Sequence, residues 1–196
     1  MIVIVDTGCA NLTSVRFALN RLGVEPVISA DQSTIAAAEK VLLPGVGHAG
    51  FAMEQLEQKG LIEPIKALEQ PVLGICLGMQ LLLEGSQEGD TDCLGVIPGQ
   101  VPPLDTKYLI SPHMGWNTLV SVKGGGLLNG LEVGDYFYFV HSFAADLSNY
   151  TIAECEYGSR FSAAINKDNF YGVQFHPERS GAKGLQVLRN FLEVKA

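Results

Sequence analysis

The segment Gly74-Ile75-Cys76-Leu77-Gly78, reached through an apolar run that starts at Pro71, constrains this chain more than any other stretch. It is a cysteine version of the Gly-x-nucleophile-x-Gly elbow, in which a strand ends, turns sharply and starts a helix. Glycines are required because neither the turn nor the helix pressed on it leaves room for a Cβ. A thiol on that turn is lifted clear of the sheet and sits at a helix N-terminus. There the helix dipole and a neighbouring imidazole favour the thiolate, the species that attacks.

A hundred positions later the chain reads Gln174-Phe175-His176-Pro177-Glu178. In an extended segment His176 and Glu178 point to one side, and Pro177 discourages a helix between them. An imidazole held by a carboxylate and aimed at a thiol is the general arrangement of a catalytic triad. Either motif alone fits a buried small residue or a plain turn. Together, each at the end of a β-like run, they point to nucleophilic catalysis by Cys76, His176 and Glu178.

The surrounding pattern is α/β. Ile2–Val5, Val27-Ile28, Val41–Leu43 and Pro71–Ile75 read as short strands, the wholly apolar ones covered on both faces. Leu12, Val15, Leu19 and Leu22 recur at helical spacing up to Gly23. Further helices are predicted over 51–58, 61–69 and 77–83, and a last one from near Ser180. This order predicts a mostly parallel central sheet flanked by helices. Residues 85–103 read as loop. The second half is strand-rich, with strands at Tyr136–Phe143, Thr151–Cys155, Ser162–Ile165 and Tyr171–Phe175. At 196 residues, the chain is read as a single domain over 1–196.

Charge and cysteine usage narrow the function. Thirteen Lys and Arg against 21 Asp and Glu give a net charge of −8, which disfavours nucleic-acid binding as the main activity. No apolar run reaches the length of a membrane span, and the N-terminal run breaks at Asp6. Cys9, Cys76, Cys93 and Cys155 form no CxxC pair, which suits a reducing cytoplasm. No metal site and no cofactor are expected. Cys9, Cys93 and Cys155 are read as structural, and His48 and His113 as solvent-exposed or cap groups.

An oxyanion formed at a carbonyl needs two donors. The N–H of Leu77, next after the nucleophile, is one. The other is expected from Pro44-Gly45-Val46-Gly47, with Val46 and Gly47 the candidates. Glycine on both sides of Val46 makes rotation of that peptide cheap, so the donor could be switched.

The paired motifs resemble class I glutamine amidotransferases, whose glutaminase domains carry G-x-C-x-G and H-P-E. The blocks at 6–12, 44–47, 112–117, 138–142 and 169–181 are similar to the glutaminase subunits of imidazole glycerol phosphate synthases. The resemblance implies a flavodoxin-like fold, L-glutamine as substrate and a (β/α)8-barrel cyclase as heterodimer partner. It further implies substrate contacts from Gly45, Gln80, Ser142 and Phe143, and a partner-facing set of Asn11, Trp116, Tyr138 and Arg179. From the residues alone, Gln80 reads as a solvated helix position, Trp116 equally as core and Arg179 equally as surface charge. A glutaminase of another biosynthetic pair, a free-standing cysteine hydrolase and an inactive regulatory subunit are the alternatives.

Overall fold

In the computed structural model, which describes residues 1–8 and 11–195, one nine-stranded sheet runs through both halves of the chain. Cys9 lies outside the described residues. The first half supplies β1 (Ile2–Val5), α1 (Leu12–Arg21), β2 (Val27–Ser29), α2 (Gln32–Ala36), β3 (Lys40–Gly45), α3 (Ala49–Gln58), α4 (Ile62–Lys66), β4 (Val72–Cys76) and α5 (Leu77–Leu81). Three two-residue strands follow, β5 (Gly85–Ser86), β6 (Thr91–Asp92) and β7 (Gln100–Val101). The second half supplies β8 (His113–Val122), β9 (Tyr136–His141), β10 (Thr151–Tyr157), β11 (Ser159–Lys167), β12 (Phe170–Val173) and α6 (Gly181–Glu193).

The large sheet has the order β2-β1-β3-β4-β12-β11-β10-β8-β9. The first five strands pair in parallel and the rest are antiparallel. The apolar runs predicted this burial. In β1, Ile4 packs into one core while Val3 and Val5 pack into the other; in β3, Leu42 opposes Val41 and Leu43. Val15 and Leu19 of α1 and Leu188 and Phe191 of α6 cover one face. Ile35, Leu56, Ile65 and Leu77, from α2 to α5, cover the other.

Several sequence expectations need correction. Residues 85–103 are not simply loop, because β5, β6 and β7 form a separate three-stranded sheet. Strands of two residues leave no periodicity to read. The short α2 was also missed; Asp31 starts it by accepting from Thr34 N at 2.8 Å. His113–Asn117 lies within β8, its polar and glycine positions alternating opposite the aromatic β9. Pro177 does not forbid a turn of helix. It opens a 3-10 turn at Pro177–Arg179, in a first position where its missing N–H costs nothing.

Candidate active site

Three adjacent parallel strands end at one place. β3 ends at Gly45 beside the Val46-Gly47 loop, β4 at Cys76, and β12 just before His176. Ligand sites of open α/β sheets lie at the carboxyl ends of such strands. The elbow is as tight as the glycines imply. A Cβ on Gly78 would lie 1.7 Å from Leu43 O, and one on Gly74 would lie 2.6 Å from Gly78 O. Cys76 itself is held at φ 55°, ψ −112°, a conformation that non-glycine residues adopt at a cost of about 1–3 kcal/mol.

A cavity of about 160 Å³ opens over this point. It is lined by Val46, Gly47, Cys76, Leu77, Gln80, Glu88, residues 140–143 and His176. Its volume suits a free amino acid rather than a peptide. A larger, more open groove of about 890 Å³ lies elsewhere, between Ala30 and Gln70, and neither a cysteine nor a histidine is among the described residues that line it.

The imidazole of His176 is buried, and its Nδ1 lies 2.8 Å from Glu178 Oε1. The 3-10 turn lets Glu178 reach back to the residue that precedes the turn. His176 Nε2 is buried without a hydrogen-bond partner among the described residues, as is Glu178 Oε2. Burial alone would lower the His176 pKa. The Cys76 sulfur and the Glu178 carboxylate outweigh burial and raise it well above the ordinary value. His176 and Cys76 both line the cavity, with the sulfur close enough to raise the imidazole pKa. β9 closes that side: His176 N donates to Tyr138 O at 2.9 Å, and Val140 O lies 3.8 Å from Cys76 Sγ.

The substrate candidates divide. Gln80 is buried, not solvated, and lines the cavity; its amide donates to Phe143 O and to Gln174 Oε1, both at 2.9 Å. Gln174, fully buried, donates in turn to Cys76 Sγ at 3.7 Å. Ser142 and Phe143 line the cavity, but the Phe143 carbonyl already accepts from two side chains, Gln80 and His141. Gly45 lies behind the cavity in β3, where a Cβ would come within 2.9 Å of Gly78 N. Val46 is 39% exposed, and Gly47 has φ +99° with open space around it. The loop is therefore unconfined on its outer side.

Among the partner-facing candidates, Trp116 is 56% exposed and meets Tyr138 edge to face across the β8–β9 pair. The exposed Arg179 lays its guanidinium 4.6 Å from the centre of the Tyr138 ring. Met114 and Tyr136 extend this exposed apolar face. Asn11 caps α1 by accepting from Ser14 N. Cys93 and Cys155 are free thiols pushed up by burial to about 11 and about 12, hence inert. His48 caps α3, as one expectation had it. His113, expected at the surface or at a cap, is buried.

Sequence reasoning missed Glu88, the one carboxylate on the cavity wall among the described residues, whose Oε2 accepts from Ala49 N at 2.8 Å. It sits in the segment read as loop, where nothing distinguishes it from Glu84. Gln174 gave a signal that went unused, a polar residue inside an apolar run.

The fold and site define a cysteine–histidine–carboxylate centre on a doubly covered α/β sheet. Residues 3–194 match the family described as glutamine amidotransferase class-I. The chain is 54% identical to the imidazole glycerol phosphate synthase subunit HisH of Escherichia coli (strain K12) over 194 residues, covering 98% of this chain and 99% of that one. It is 55% identical to the HisH subunit of Photorhabdus laumondii over 199 residues, with 98% and 99% covered. Among solved structures it resembles a glutamine amidotransferase (TM-score 0.76, 17% identity, 98% of each chain covered). It also resembles PurLQS from Thermotoga maritima (TM-score 0.73, 20% identity, 98% and 97% covered). The chain belongs to the class I glutamine amidotransferases and, within them, to the HisH subunits of imidazole glycerol phosphate synthase.

Proposed function

We propose that this chain hydrolyses L-glutamine and delivers the ammonia to a (β/α)8-barrel cyclase subunit that makes imidazole glycerol phosphate in histidine biosynthesis. One observation carries the chemistry: adjacent parallel strands deliver Cys76 and His176 to one amino-acid-sized cavity. Cys76 attacks the carboxamide carbon, and the N–H groups of Leu77 and of the Val46–Gly47 loop receive the oxyanion. His176, oriented by Glu178, gives its proton to the departing ammonia. It then takes one from the water that hydrolyses the thioester, which releases glutamate. Glu88 and the carbonyl oxygen of Gln80 face the substrate's α-ammonium. Residues 1–196 act as one glutaminase domain, and a reducing cytoplasm keeps the thiol usable.

The exposed face of Met114, Trp116 and Tyr136, with the Arg179–Tyr138 pair, supports a docking surface for the cyclase. Ammonia is mostly protonated near neutral pH and is then no nucleophile, so release into bulk water would waste it. Docking beside the site gives it a sheltered route. Loss of one oxyanion donor costs about 10²–10³ in rate, so rotation of the Val46 peptide would serve as a switch. The test is ammonia release from glutamine by the purified chain, alone and with a candidate cyclase plus its nucleotide ligand. The expected result is slow release alone, strong stimulation by the loaded partner and none from Cys76→Ala. Release that survives Cys76→Ala would overturn the reading.

A further inference from the structure

β8 has two faces with different company. Its outward face carries Met114 and Trp116; its inward face carries His113 and Asn117, and His113 lies directly opposite His141 of β9. Both histidines are buried, at 3% and 6% exposure. His113 is stacked between Phe139 and Tyr157, and His141 stands edge-on to Phe161. Neither takes part in the chemistry above.

Their hydrogen bonds form a chain whose direction can be deduced from each end. At one end, Thr118 N donates to Asn117 Oδ1 at 2.8 Å, and Asn117 Nδ2 donates to Glu156 O at 3.0 Å. These two backbone groups fix the amide, so Nδ2 also faces His113 Nε2, at 3.2 Å. His113 Nε2 is then an acceptor, and its proton is on Nδ1. That Nδ1 lies 2.9 Å from His141 Nε2, which must accept, leaving the His141 proton on Nδ1. At the far end His141 Nδ1 lies 2.8 Å from Phe143 O, a group that can only accept. Both ends demand the same pair of tautomers.

We propose that His141, locked by Asn117 and His113 as the neutral Nδ1–H tautomer, is a positioning residue for the glutamine cavity. It acts through the Phe143 carbonyl, which it shares with Gln80. Gln80 holds Gln174, and Gln174 donates to Cys76 Sγ, so the chain continues to the nucleophile. No proton moves along it; its contribution is orientation. Burial supports the neutral state, holding His113 down to about 4 and His141 to about 3. A charged His141 would also repel the imidazolium on His176.

The functional half of this inference rests on the glutaminase reading; the tautomer half does not. Nitrogen-15 imidazole spectra of the full chain at neutral pH should show both His113 and His141 protonated at Nδ1 alone. An Nε2–H form or an imidazolium at His141 would overturn the inference even with glutamine turnover intact. In the complex with the cyclase, His141→Asn keeps a donor near the Nδ1 position, whereas His141→Gln and His141→Leu lose it. The expected result is a glutamine KM near wild type for Asn and about tenfold higher for Gln and Leu, with smaller changes in kcat. A general structural role would not sort the variants this way, and equal KM values across the three would refute the positioning role. Co-elution of each variant with the cyclase on gel filtration and an unchanged far-ultraviolet circular dichroism spectrum show that it is folded and assembled. A wild-type complex with no Cys76-dependent turnover would instead refute the glutaminase reading.

Discussion

The parallel and antiparallel halves of the sheet do different work. Strands β1, β3, β4 and β12 are buried on both faces, and their value lies in where they end. Strands β8 and β9 are buried on one face, and their value lies along their length. The outward side presents Trp116 and Tyr136, while the inward side buries His113 and brings His141 to the cavity wall. Chemistry placed at strand ends depends on backbone closeness. Positioning placed along strands depends on side-chain hydrogen bonds. The two halves should therefore fail differently when altered.

The largest expected effect falls where a strand end delivers the base. Glu178→Gln keeps the shape of the turn, but an amide cannot stabilise the imidazolium on His176. Glutamine-dependent kcat should fall by about 10²–10⁴, with the thermal midpoint little changed. Steady-state assay of the complex checks this, and unchanged turnover would remove Glu178 from the mechanism. Next comes the backbone itself. Gly78→Ala forces a Cβ onto Leu43 O and should cost about 4 kcal/mol or more in denaturant unfolding, if the protein folds at all. In the antiparallel half, Gly115→Ala meets no neighbour and carries only the strain of φ +134°, so it should cost about 1 kcal/mol. Equal losses would end the contrast.

How much of this was legible follows the same division. Apolar runs at Ile2–Val5 and Val41–Leu43 reveal strands because burial on both faces removes polar residues from them. The elbow and His176–Glu178 were legible because tight turns and proton transfer accept few residue types. Gln80 was misjudged as solvated, because a five-residue helix such as α5 has too little periodicity to show which face is buried. The inward histidines were illegible for another reason. A His on an aromatic strand reads as surface or core until its cross-strand partner is known, and the β8–β9 register comes from tertiary pairing.

A smaller effect tests the antiparallel half through pH. Folding lowers the pKa of His113 and His141 from the ordinary 6.5 to about 4 and about 3, so both are neutral in the folded chain. The unfolded chain protonates them near 6.5. The stability they contribute is complete above that pH and is lost as pH falls toward 4 and 3. Between pH 7 and pH 5 the loss should be on the order of 2–4 kcal/mol, and His141→Asn should remove about half of it. Urea unfolding at several pH values checks this; an identical slope in the variant would contradict the buried neutral pair. The smallest effect concerns the outward face. Trp116→Ala should weaken cyclase binding about tenfold while leaving the stability of the free chain within about 0.5 kcal/mol, since the indole is exposed. Calorimetric titration separates the two.

A glutaminase at the strand ends that supplies ammonia to a second subunit needs the Cys76 thiolate for one nitrogen source only. This is tested most directly by Cys76→Ser in the assembled complex, with product formation measured from glutamine and from an ammonium salt side by side. Glutamine-dependent synthesis should vanish and ammonium-dependent synthesis should match wild type. Equal loss from both nitrogen sources in a complex that remains assembled would contradict this requirement.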